Sequence, residues 1–249
     1  MTKKEKKKSG LLYRMILFIL IVIIAFSLYK IGTILYEYHV GTKEYDSVQE
    51  LAGTQAESFT GEVDFDALVK KNKDVKAWIY SKDTVINYPV VQGKDNQFYL
   101  YRMINGQYNG KGSIFIDYRC ENPFSDFNTI IYGHRMKDGS MFNSLTKYRE
   151  KDYFDKHKKM MLITRDRKYQ VQIFGVVTIA ADSDKYRYRF SGKEDKQAYL
   201  DWIMANSEID TGVTASTGDK IVMLSTCTYE FDDARLVVYG KLAEMEEDK

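Results

Sequence analysis

The chain has 249 residues, and its 37 Lys and Arg against 35 Asp and Glu leave a formal charge of +2, a balance that excludes a highly charged disordered chain. Lys3, Lys4, Lys6, Lys7, Lys8 and Arg14 face only Glu5, so the first 14 residues carry +5 and the remainder is slightly acidic, which argues against nucleic acid as a partner. Cys120 and Cys227 are too few for a disulfide-stapled miniprotein and form no C-x-x-C pair suited to zinc or dithiol redox chemistry.

In chain order, a basic tail over 1–10 precedes an apolar stretch over 11–36, long enough to cross the roughly 30 Å of membrane hydrocarbon as one helix. Arg14 and Lys30 can snorkel to the headgroups. The competing reading is a cleaved signal peptide, for which Ala25-Phe26-Ser27 loosely fits a small-x-small site, but the apolar character runs past it. The one-sided positive charge puts the N-terminus in the cytoplasm and everything after about residue 37 outside. Residues 37–60 are polar and read as an extracellular stalk with an exposed helix, so the globular domain is expected over 61–249.

Asp64 caps a helix start at Phe65-Asp66-Ala67-Leu68-Val69. Short β-rich runs bounded by turn residues then recur at 85–91, 113–117, 128–132, 160–164, 169–180, 221–226 and 235–242. Such a series predicts a mainly β barrel or sandwich rather than a parallel α/β sheet. Helical insertions are expected around 141–158 and 193–207, the second with Tyr199, Trp202, Ile203 and Met204 on its apolar face.

Cys227 follows the apolar run Ile221-Val222-Met223-Leu224-Ser225-Thr226 directly, where a sheet can present a side chain to a groove. Only residues 228–234 separate it from Arg235, which opens the next strand, so an antiparallel return brings thiol and guanidinium together. Such a cation favours thiolate and can donate to a developing oxyanion. A thiol nucleophile also needs a proton carrier, and three histidines are available. His39 falls in the stalk and His157 among Asp155, Lys156 and Lys158, whereas His134 ends the strand Thr129-Ile130-Ile131-Tyr132 after the small Gly133. Taken singly, a cysteine after an apolar strand is most often a core thiol, and a strand-start arginine is usually just solvated.

Together, Leu224-Ser225-Thr226-Cys227, Arg235 and Tyr132-Gly133-His134 resemble the sortase family of cell-wall transpeptidases. The family pattern T-L-x-T-C stands here as Met223-Leu224-Ser225-Thr226-Cys227, with Met in place of the first Thr. Asn87-Tyr88-Pro89-Val90-Val91-Gln92, Tyr132-Gly133-His134-Arg135-Met136 and the insertion at 193–207 look like class B, and the stretch from Ser225 to Phe231 looks closest to clostridial members.

That resemblance implies a closed eight-stranded β-barrel with N-terminal helices, a helical insertion between late strands and a single N-terminal membrane anchor. It implies Cys227 as nucleophile cutting a sorting motif of surface proteins after Thr, His134 as acid and base, and Arg235 as the group steadying the oxyanion. A peptidoglycan stem-peptide or cross-bridge amine then takes the acyl group. Ser225, Thr226 and Tyr132 are implied to line the substrate groove, and Asn87 and Val91 match positions that contact the motif in class B relatives. No cofactor or metal is implied, and Asp182, Asp184, Asp232 and Asp233 read as solvated loop rather than a calcium site. A purely hydrolytic cysteine peptidase, a pilin polymerase and a non-catalytic wall-binding module remain as alternatives.

Overall fold

The computed structural model describes residues 3–54, 59, 61–228 and 230–245, so residues 55–58 and 60 of the expected stalk and Tyr229 of the quoted motif lie outside the described residues. The chain divides into two compact units, one ending at Thr42 and one running from Lys43 onward. Helix α1 spans Lys3–Leu51 without interruption. Its segment from Leu12 holds a window of mean hydropathy 2.5, long and apolar enough to cross a membrane.

The second unit starts earlier than the expectation of residue 61. Tyr45, Val48 and Ala52 are buried in it at helical i, i+3, i+7 spacing, and they pass unnoticed in a sequence that is polar around them. The Tyr45 hydroxyl donates to the Gly112 carbonyl, and the Gln49 amide donates to the Asn87 carbonyl at 2.8 Å. Helix α2, Phe65–Lys71, begins at the expected cap, where the Asp64 carboxylate accepts the Ala67 N–H at 2.8 Å.

Eight strands follow: β1 Val75–Tyr80, β2 Asn87–Val91, β3 Ile114–Ile116, β4 Asn128–Tyr132, β5 Lys159–Thr164, β6 Lys168–Ala180, β7 Lys220–Cys227 and β8 Ala234–Glu244. They close a barrel in the order β1-β2-β3-β4-β7-β8-β6-β5, as the resemblance implied. Seven match the expected runs; β1 is additional. Closure leaves no sheet edge exposed to pair with another chain. Two neighbours, β2–β3 and β4–β7, run parallel, which requires crossover connections between them.

The insertion near 141–158 is not one helix. A 3-10 helix, Asn143–Arg149, and α3, Lys151–Lys156, are separated by Glu150 in extended backbone. Between β6 and β7, helix α4 spans Lys193–Asn206 and buries Tyr199, Leu200 and Ile203. Met204, expected on that face, is exposed instead. Ile203 lies so close to β6 that a Cβ on Gly175 would sit 2.5 Å from its Cγ2.

Candidate active site

Strand pairing alone assembles most of the site. Cys227 is the register partner of Arg235 across the antiparallel β7–β8 pair, so the two side chains project from the same face. Tyr132 is the register partner of Ser225 across the parallel β4–β7 pair, and Gly133 extends that pairing by donating its N–H to the Ser225 carbonyl at 3.1 Å. His134 follows at once. A groove of about 220 Å³ is lined by Cys227, His134, Arg235, Tyr132, Ser225 and Thr226 together with Leu100 and Tyr186.

His134 is held by its Nε2, 2.6 Å from the Leu100 carbonyl. A carbonyl only accepts, so Nε2 carries the hydrogen and Nδ1 holds the lone pair of the neutral ring. Burial pulls the His134 pKa below the ordinary imidazole range and the Arg235 charge pulls the same way, against the Leu100 bond. The ring is therefore neutral at pH 7 and can accept a proton. Arg235 donates from Nη1 to the Ala234 carbonyl at 3.0 Å, which fixes the guanidinium while leaving other donors of the fork available.

The groove walls are braced from behind. Tyr132 donates to the buried Asp117 at 2.9 Å, and Arg119 pairs with the same carboxylate at 2.8 Å. Burial alone would raise the Asp117 pKa, but the Arg119 hydrogen bonds and charge, with the Tyr132 bond, hold it low. The Tyr186 and Ser225 hydroxyls lie 2.7 Å apart, and burial pushes the Tyr186 phenol up to about 12. Thr226 Oγ1 is buried without a hydrogen-bond partner.

Two expected contact residues lie outside this groove. Asn87 is buried in β2 with both ends of its amide engaged: Oδ1 accepts from Trp78 Nε1 at 2.7 Å and Nδ2 donates to the Thr54 carbonyl at 2.6 Å. Val91 is fully buried among Val48, Phe65 and Trp78. Both tie β2 to the N-terminal helices. Conversely, Tyr186 and Leu100 line the groove unforeseen, because they come from irregular segments in which no periodic pattern marks an inward face. Arg149 was also missed; it pairs with Glu208 at 2.8 Å and with Glu230 of the β7–β8 loop, bracing the turn that joins Cys227 to Arg235.

The closed mixed barrel is shared with proteins of known family. The Sortase domain family matches residues 79–243. Sortase B of Listeria monocytogenes is 38% identical over 223 residues, covering 87% of this chain and 91% of that protein. The Staphylococcus aureus sortase B–substrate complex is similar with a TM-score of 0.77 at 32% identity, covering 85% of this chain and 100% of that one. Clostridium perfringens sortase B gives 0.69 at 33% identity over 74% of this chain and 100% of that one, in keeping with the clostridial likeness of the motif. The chain belongs to the sortase family of cell-wall transpeptidases and, within it, to class B.

Proposed function

We propose that this enzyme cleaves a C-terminal sorting motif of surface proteins after Thr and transfers the new acyl end to a peptidoglycan amine. The observation that carries this reading is the pairing of Cys227 with Arg235 in register, with His134 at the end of the parallel neighbour strand and all three on one groove.

The Cys227 sulfur attacks the threonine carbonyl carbon while Arg235 donors meet the oxygen as it gains charge. His134 takes the proton of the attacking thiol, the C–N bond breaks, and His134 passes that proton to the leaving nitrogen. An amine then attacks the thioester, the C–S bond breaks, His134 collects the proton from nitrogen, and the thiol is restored. Ser225, Thr226 and Tyr132 line the acyl side. That a Staphylococcus aureus relative is described in complex with substrate supports substrate binding by this chain as well. The apolar stretch of α1 supports a single-pass membrane anchor, and the basic residues before it favour a cytoplasmic N-terminus with the barrel outside.

Intact mass measurement after incubation with a sorting peptide tests the mechanism. An acyl adduct on Cys227, discharged to an amide by added primary amine, is expected. Discharge to the free acid alone, at every amine concentration, would make the enzyme a hydrolase. Discharge only to a lysine of another subunit would make it a pilin polymerase.

A further inference from the structure

The connection between β2 and β3 folds back on itself beside the site. Arg102 and Tyr108 form an antiparallel bridge, the Asn109 N–H donates to the Tyr101 carbonyl at 3.0 Å, and Met103 and Ile104 anchor the turn in the core. This small hairpin holds the Tyr101 and Tyr108 rings in a stack, 6.2 Å apart at 22°. Both face water, at 45% and 67% exposure, so much of the aromatic surface of this pair is open to a ligand. The Tyr101 ring lies 5.8 Å from the His134 imidazole, and its preceding residue supplies the Leu100 carbonyl that holds His134. Arg102, of the same hairpin, is engaged elsewhere: its guanidinium lies over Phe98 at 5.1 Å and donates to the Gly106 carbonyl at 3.0 Å.

We propose that Tyr101 and Tyr108 form a cation-receiving shelf that delivers the acceptor's ammonium group to His134, a role that rests on the transfer reading above. A primary amine is mostly protonated at neutral pH. The faces of tyrosine rings attract such cations, by about 0.5–1 kcal/mol at exposed sites. The nitrogen that attacks the thioester must finish beside His134, and the stacked rings run from open solvent to that imidazole. On arrival the ammonium releases one proton to solvent. Its lone pair then attacks the thioester carbon, the C–S bond breaks, and His134 takes the second proton and returns it to the sulfur. The shelf acts on the acceptor and leaves acylation alone.

The test uses the full chain, a sorting-motif peptide, and three acceptors: triglycine and diaminopimelate, whose amines are protonated to cationic ammonium groups at pH 7, and hydroxylamine, which is mostly uncharged there and cleaves thioesters directly. Tyr108→Ala is the informative variant, because it removes the outer ring of the stack and keeps the Tyr101 ring beside His134. It should raise the KM of the better cationic acceptor by about two- to five-fold, the equivalent of one exposed cation–π contact. Fragment release without acceptor and transfer to hydroxylamine should stay at wild-type rates, and Tyr108→Phe should behave as wild type. An unchanged KM for the cationic amines, an equal loss with hydroxylamine, or a fall in acylation would overturn the shelf while leaving the transferase intact. Wild-type enzyme that forms no amide with any amine would overturn the transfer reading and the shelf with it.

Discussion

Cys227 and Arg235 occupy the last rung of the β7–β8 ladder, directly across from one another, where the loop carrying Glu230 begins. Arginine at that rung offers a planar fork, of which one arm already holds the Ala234 carbonyl; lysine keeps the charge and loses the geometry. Arg235→Lys should therefore lower acyl transfer by roughly 10²–10³, the usual cost of one oxyanion donor. Iodoacetamide labelling of Cys227 should change little. Near-normal turnover would show that charge alone suffices.

The two thiols are separated by burial. Cys120 is 3% exposed, and burial pushes its thiol up to about 11, whereas Cys227 lines the groove half-buried. At pH 7 to 8, alkylation mapped by peptide mass should fall on Cys227. Cys227→Ala should abolish the acyl adduct with an unchanged melting temperature, and Cys120→Ala should keep most activity.

His134 provides a pH signature. Because its folded pKa lies below the ordinary value of about 6.5, the unfolded chain binds more protons between the two values, so stability rises with pH across that window and is lost on acidification through it. The imidazole resonances should titrate below 6.5. In Arg235→Gln they should move upward, since Arg235 is one cause of the depression. A downward or absent shift would mean that the guanidinium charge is not felt at the ring.

The fold was legible wherever neighbouring residues in sequence settle the structure. Seven strands stood out because β-branched runs meet turn residues, and the α2 cap because Asp64 acts over three residues. Strand β1, Val-Lys-Ala-Trp-Ile-Tyr, did not: four of its six residues are buried and the register slips at Val75, so clean alternation is lost. Cys227 and Arg235 were readable because one short turn joins their strands. Tyr186 and Leu100 were not, since each reaches the groove from a coil segment through contacts with residues more than thirty positions away. The partners of Asn87 were not readable either: its place in a motif says nothing of Trp78 and Thr54, which engage its amide.

Gly133 sits between Tyr132 and His134, and a Cβ there would lie 2.5 Å from Ile114 Cδ1 and 2.6 Å from the Phe142 ring. Both neighbours are fully buried, so neither can yield freely. Gly133→Ala should cost about 1–3 kcal/mol of stability, as overpacked sites do. Because the displaced backbone carries His134, turnover measured well below the melting temperature should also fall. A destabilised variant with full activity would show that the strain relaxes away from the imidazole.

The parallel contact of β4 with β7 has a temporal side. Parallel strands cannot be joined by a tight turn, and here β5, β6 and α4 all intervene before the second strand is laid down. Such distant pairings form late, after loop-closure entropy has been met by the rest of the barrel. An unfinished chain thus carries its imidazole on one strand and its thiol on another that has no place to dock. Cys227 and His134 therefore share a groove only where β4 and β7 are paired, which ties assembly of the site to closure of the barrel.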